Sequence, residues 1–149
     1  MRTDLLNKAA QIADRVGHVL VASAADDCTP HVATAGQMRL LPDSVVRVTA
    51  WFCPATVSNI QDNPRVSLVV WDTQTDEGYQ LVGRAEGMAD LSIMDGYIPG
   101  ERMTAPLPQV QRQIDVRVEE ILHFTRGPHS DMDESAEPAA ARVAFDFDR

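Results

Sequence analysis

The apolar residues of this chain arrive in short runs, and turn-forming residues cut each run at strand length. "HVLVASAA" (His18 to Ala25) stops at "DDCTP", "HVATAGQMRLL" (His31 to Leu41) stops at "PDS", and "VVRVTAWF" (Val45 to Phe52) stops before Pro54. "RVSLVVW", "YQLVGRAEGM" and "IDVRVEEILHF" follow in the same style. Branched and aromatic residues dominate these runs, as a pleated, half-buried surface requires. Asp, Pro, Ser and Gly fill the breaks, where the backbone must turn. A chain punctuated in this way is mainly β. Six short strands with turn-length links and few helices predict a small antiparallel barrel.

Two segments carry a helical period instead. Leu5, Leu6, Ala9, Ile12, Ala13 and Val16 recur at the spacing of one helix face, with Thr3 as the expected cap, Asp4 in the first turn and Gly17 where the helix should stop. Pro54 suits the first position of a second, shorter helix, Val57 and Ile60 give it one apolar edge, and Asn63 before Pro64 ends it. In the last strand Ile114, Val116, Val118, Leu122 and Phe124 share one parity. Glu120 and Ile121 break the alternation, which predicts a bulge or an interface there. Gly83 and Gly87 mark places in the fifth strand where a bend or a close approach is expected. Residues 1–124 read as one folded domain. Residues 125–149, "TRGPHSDMDESAEPAAARVAFDFDR", read as an acidic tail, extended or partly disordered.

Charge narrows the function. The 149 residues carry a net charge of −9 and a sequence pI of about 4.7. Nucleic acid and anionic membrane surfaces demand a basic face, so neither is an expected partner. The N-terminal stretch lacks the apolar core of a signal peptide, and the expected location is the cytoplasm. Cys28 and Cys53 form no CxxC pair and read as free thiols. His18, His31, His123 and His129 show no metal spacing, and the His129, Asp131, Asp133 alternation reads as solvated; no metal is expected. Residue order alone assigns no catalytic group.

One stretch is more specific. "NIQDNPRVSLVV" (Asn59 to Val70), with the order of elements around it and the later "LVGRAEGM", resembles the pyridoxamine 5′-phosphate oxidase-like, FMN-binding split-barrel family. The likeness covers roughly Val19 to Met88. It implies a six-stranded split barrel over residues 1–124 that forms a homodimer and holds FMN between subunits. It also implies redox chemistry on a small molecule, with the flavin carrying the electrons. The regions that grip flavin in such proteins map to Thr34–Gln37, Arg47–Trp51 and Cys53–Thr56. Thr34, Gln37, Arg47, Thr49, Ala50, Trp51, Ala55 and Thr56 are therefore the expected cofactor-binding residues.

The sequence departs from the family at one point. The usual basic pair at the start of the short helix is replaced by Pro54 and Ala55, and Ser58 stands where another cation is common. A Lys or Arg contact to phosphate contributes about 1.5–3 kcal/mol, and losing two weakens binding by roughly a hundredfold or more. The amides of Ala55, Thr56 and Val57, with the Thr56 hydroxyl, still form an anion site. Arg47 or Arg39 is the expected compensating cation, Arg47 because its parity places it on the outward face with Thr49 and Trp51. Trp71 and Gln80 are further residues that could meet a ring, although ordinary strand packing explains both. The alternative is a dimer that has lost FMN and serves as a binding module, or one that holds a deazaflavin or haem. Haem would call on His31 or His123 as its axial ligand. Pyridoxamine 5′-phosphate oxidase activity itself is not expected, because the C-terminal segment carries no Arg-x-His sequence.

Overall fold

The computed structural model of the chain describes residues 1–51, 54–94, 109–128 and 130–136. Phe52, Cys53, His129, the end of the tail and the side chains of Ala50 and Trp51 lie outside the described residues. The first helix, α1 (Thr3–Val16), buries Leu5, Leu6, Ala9, Ile12 and Ala13, the face that the spacing predicts. Gly17 follows at φ 79°, and its N–H donates to the Ala13 carbonyl at 2.8 Å. Thr3 is not the cap. That position belongs to Arg2, whose guanidinium instead pairs with Asp4 at 2.7 Å.

Seven strands follow: β1 (Val19–Ala24), β2 (Pro30–Ala35), β3 (Gln37–Leu41), β4 (Val45–Trp51), β5 (Arg65–Asp72), β6 (Glu77–Met94) and β7 (Gln109–His123). The second helix, α2 (Pro54–Asp62), sits between β4 and β5. All pairings are antiparallel, in the order β2-β1-β5-β6-β7-β4-β3. The count differs from the expected six because Gly36 divides the expected second strand into β2 and β3. Those two halves stand at opposite edges of the sheet, so one continuous length of chain joins the edges. The Gly36 N–H donates to the Thr49 carbonyl at 3.2 Å and draws them together. This is a split barrel, curled but not fully closed.

Alternation explains what fills it. Val19 and Val21, Val46 and Val48, Val66, Leu68 and Val70, and Ile114, Val116 and Val118 point inward and are buried, with Met38 and Leu81 beside them. Each such side chain contributes about 1.5–3 kcal/mol by leaving water. On β7 the alternation slips at Glu119, because Val82 faces Glu120 while Gly83 faces Val118. The bulge is thus one residue before the expected break. Beyond it Ile121 turns into the core, and Leu122 and Phe124, expected to share the core parity, become only half-buried.

The expected extended tail runs, over its described part, back along β7. Ile121, Leu122 and His123 pair with Asp131–Ser135 through main-chain bonds of 2.7–2.9 Å, and Ser135 then accepts from the Arg2 N–H at 3.2 Å. Asp76, at φ 55°, anchors the start of this return by accepting from the Arg126 and Gly127 amides and from the Trp71 indole.

A Cβ added at Gly83 would stand 2.1 Å from the Arg117 carbonyl oxygen, whereas one at Gly87 meets nothing within 4 Å. Gly83→Ala is expected to lower the unfolding free energy by about 1–3 kcal/mol in urea titration, and Gly87→Ala to change it by less than about 1 kcal/mol. Equal effects at the two positions would mean that the strands do not approach at Gly83 as described.

Candidate functional site

The outward face of the barrel carries the polar residues. On β3 and β4 the partners Gln37 and Thr49 lie opposite each other, as do Arg39 and Arg47. Thr49 in turn faces Gln113 on β7, and Arg47 faces Asp115. Where β2 bends into β3, Thr34, Gly36, Gln37 and Thr49 gather with His18 and Gln111 around a cleft of about 550 Å³. Ligand sites commonly span about 300–1,000 Å³, so this one has room for a ring system. Among the described residues its lining is hydroxyl, amide, imidazole and bare backbone, with no lysine or arginine.

The structure therefore brings together three of the expected residues, Thr34, Gln37 and Thr49. Arg47 points outward as its parity predicts, but its charge is taken. Its guanidinium grips Asp115 with two bonds, Nε to Oδ1 at 2.8 Å and Nη2 to Oδ2 at 2.9 Å. The Gln113 amide oxygen completes the arrangement at 3.0–3.1 Å. A paired, two-pronged contact of this kind is stronger and more directional than a single charge contact. No local pattern sets Asp115 opposite Arg47, since a cross-strand partner 68 positions away depends on the register of folded strands.

The start of α2 forms a second group. Ala55 is exposed there, while Thr56 is fully buried with its hydroxyl 3.4 Å from the His31 Nδ1. The Thr56 hydroxyl thus faces β2 rather than the open end of the helix. His31 lies three residues before Thr34 on β2, a separation of about 10 Å along the strand. Arg39, two residues beyond Gln37 on β3, is exposed and makes no ion pair among the described residues. Of the two arginines expected to compensate for the absent basic pair, it is the one with an uncommitted charge.

The remaining candidates are engaged elsewhere. The Trp71 indole donates to Asp76 at 3.0 Å, and the Gln80 amide donates to Ser67 at 2.8 Å. His123 stacks on Tyr79 with ring centres 5.9 Å apart. His18, absent from the expected set, lines the cleft because Gly17 ends α1 there; its Nδ1 lies 3.2 Å from the Val16 carbonyl. Among the described residues no helix is long and apolar enough to cross a membrane.

No known family profile matches the sequence, and no curated protein matches it. Solved structures do match. A Group A Streptococcus protein, HupZ, is 21% identical with a TM-score of 0.57, over 89% of this chain and 99% of that one. A pyridoxamine 5′-phosphate oxidase-related, FMN-binding protein of Nostoc punctiforme is 14% identical with a TM-score of 0.58, over 85% of this chain and 86% of that one. The chain has the fold of the pyridoxamine 5′-phosphate oxidase-related split barrels. An F420 reductase shares it at 20% identity and a TM-score of 0.52, over 74% of this chain and 93% of the reductase.

The Arg47 guanidinium hydrogen-bonded to Asp115 holds that carboxyl below its ordinary value of 3.8. A depressed folded value means that the pair stabilises the protein above the unfolded carboxylate's pKa and loses that contribution as pH falls through the folded one. Asp115→Asn is expected to lower thermal stability at pH 7, with the difference from the parent shrinking below about pH 4. A difference that stays constant down to pH 2 would show that the pair is not what Asp115 contributes.

Proposed function

We propose that the chain is a flavin-binding oxidoreductase of the cytoplasm that acts on a small molecule as a homodimer. The observation that carries this reading is the cleft that draws Thr34, Gln37 and Thr49 together from three strands, within a fold shared with a protein described as FMN-binding. When bound, the flavin supplies the electron transfer. The chain's own residues bind and orient it. Thr34 and Thr49 offer hydroxyls, Gln37 and Gln111 offer amides, and Gly36 lets the ring approach the backbone. Ala50 and Trp51 continue β4 from Thr49 toward α2, whose first amides at Ala55, Thr56 and Val57 would receive the phosphate. The second copy of the chain would cover the outer side of the cleft.

The phosphate end is the weaker part of this site, since the cleft lining holds no cation and Arg47 is committed to Asp115. A second reading follows from the same facts: the barrel has given up FMN and binds another ligand, such as a deazaflavin, which suits the likeness to an F420 reductase. The haem alternative has less support, because His31 meets Thr56 and His123 stacks on Tyr79.

The test is flavin binding by the purified protein, followed by absorbance and fluorescence after desalting. FMN is expected to co-elute, and riboflavin to bind within about tenfold of FMN because little charge contacts the phosphate. Ala55→Glu, at an exposed position, should weaken FMN and leave riboflavin unchanged. Should Arg39→Glu have that effect instead, the phosphate lies on the β3 side. A protein that retains neither flavin would sink the reading in favour of the second. Light scattering should give twice the 16.4 kDa of one chain.

A further inference from the structure

A second cleft, of about 530 Å³, opens beside the first where α1 ends against β1 and β5. Its apolar floor is Leu20, Val69 and Trp71. Leu20 and Val69 are cross-strand partners, and Trp71 follows Val69 on the same face of β5. The rim is polar, made of His18, Thr73 and Gln74. His18 lines both clefts. Leu20 pairs with Thr34 on one side and with Val69 on the other. Adjacent strands lie about 4.8 Å apart, so Thr34 in the first cleft and Val69 in the second are separated by about 10 Å. The two clefts are neighbouring lengths of one trough.

We propose that the second cleft binds an uncharged planar ring bearing a carboxamide-like edge, next to the ligand of the first cleft. As an assignment of the redox partner it rests on the flavin reading; as a binding site it does not. Charge decides the class. Among the described residues Arg15 is the only Lys or Arg in the lining, and it is held by Asp72 at 2.8 Å with Glu77 at 3.9 Å. The other Asp72 oxygen accepts the Gln74 N–H at 2.9 Å. Arg126, which lies over the Trp71 ring at 5.7 Å, pairs with Asp76 and donates to the Thr73 carbonyl. An anionic ligand would have to break one of these pairs inside a chain of net charge −9. A cation would find the carboxylates already satisfied.

A neutral ring meets no such obstacle. Leu20, Val69 and the indole take its faces. The Gln74 side chain, which makes no hydrogen bond among the described residues, offers a donor and an acceptor to its edge. The His18 Nδ1 lies 3.2 Å from the Val16 carbonyl oxygen, and in the neutral tautomer that donates to this oxygen Nε2 is an acceptor for an amide N–H.

Nicotinamide and nicotinate are the probes, because they share a ring and differ in charge. The full-length protein, free of flavin, is followed by ¹H–¹⁵N spectra, with Trp51→Phe identifying the Trp71 indole. Nicotinamide at millimolar concentration is expected to shift the Trp71 indole and the Gln74 side-chain amide. Nicotinate should bind at least about tenfold more weakly. Gln74→Ala and His18→Ala, both at exposed positions, should each weaken nicotinamide roughly threefold to tenfold, the effect of one neutral hydrogen bond. The proposal is overturned by shifts confined to Thr34, Gln37 and Thr49, by nicotinate binding as well as nicotinamide, or by no shift at all. Since no flavin is present, failure here and failure of flavin binding are separate results.

Discussion

An antiparallel sheet with one apolar face can keep that face dry only by curling or by finding another layer. Here the curl is held where the chain passes from β2 to β3, with the Gly36 N–H on the Thr49 carbonyl. Because β2 and β3 are the two edges of the strand order, their covalent connection at Gly36 brings both edges beside a core in which Val19, Met38, Val48 and Ile114 are buried. It also shapes the trough on the outside. Thr34, Gln37 and Thr49 meet there because the bend that hides the core folds the outer face inward at the same place. The site is a by-product of the closure.

Outside the barrel the dominant theme is neutralisation. Arg47 with Asp115, Arg15 with Asp72 and Arg112 with Asp90 all pair at 2.8–2.9 Å, and Arg117 is held by Glu86. In water such pairs contribute little individually. Their effect on recognition is larger, since each occupies a cation that an incoming phosphate would otherwise meet unpaired. Arg47, the expected compensating cation, is already paired with Asp115, and ring contacts rather than charge dominate the proposed binding modes.

The strand meander, the helix ending at Gly17 and the turn at Asn63–Pro64 were legible because each depends on residues close in sequence. The outward placement of Arg47 was equally legible, as alternation alone fixes it. The partner of Arg47 was not, because Asp115 meets it only through the register between β4 and β7. The division of the second strand at Gly36 was also hidden: a glycine in a strand signals a possible bend, but not that the two halves will serve opposite edges. Leu122 and Phe124 were placed on the wrong parity for a local reason, the extra residue at Glu119. His18 reads in the sequence only as a histidine without metal spacing, because its position depends on two clefts that exist only after folding.

The return of the chain along β7 ties residues 131–135 to the start of α1. Ser135 accepts from the Arg2 N–H, and Glu134 takes the Arg2 guanidinium at 3.2 Å while the Ser135 hydroxyl accepts from the Ile121 amide at 2.7 Å. The first turn of α1 therefore cannot fray alone, as chain ends ordinarily do. To open it, the contacts of Glu134 and Ser135 with Ile121 must part as well, so the start of α1 and the returning segment behave as one cooperative unit. Amide exchange at Leu6, Ile121 and Glu134 would then proceed at a common rate set by that joint opening, although Leu6 is more than a hundred positions from the other two in the chain.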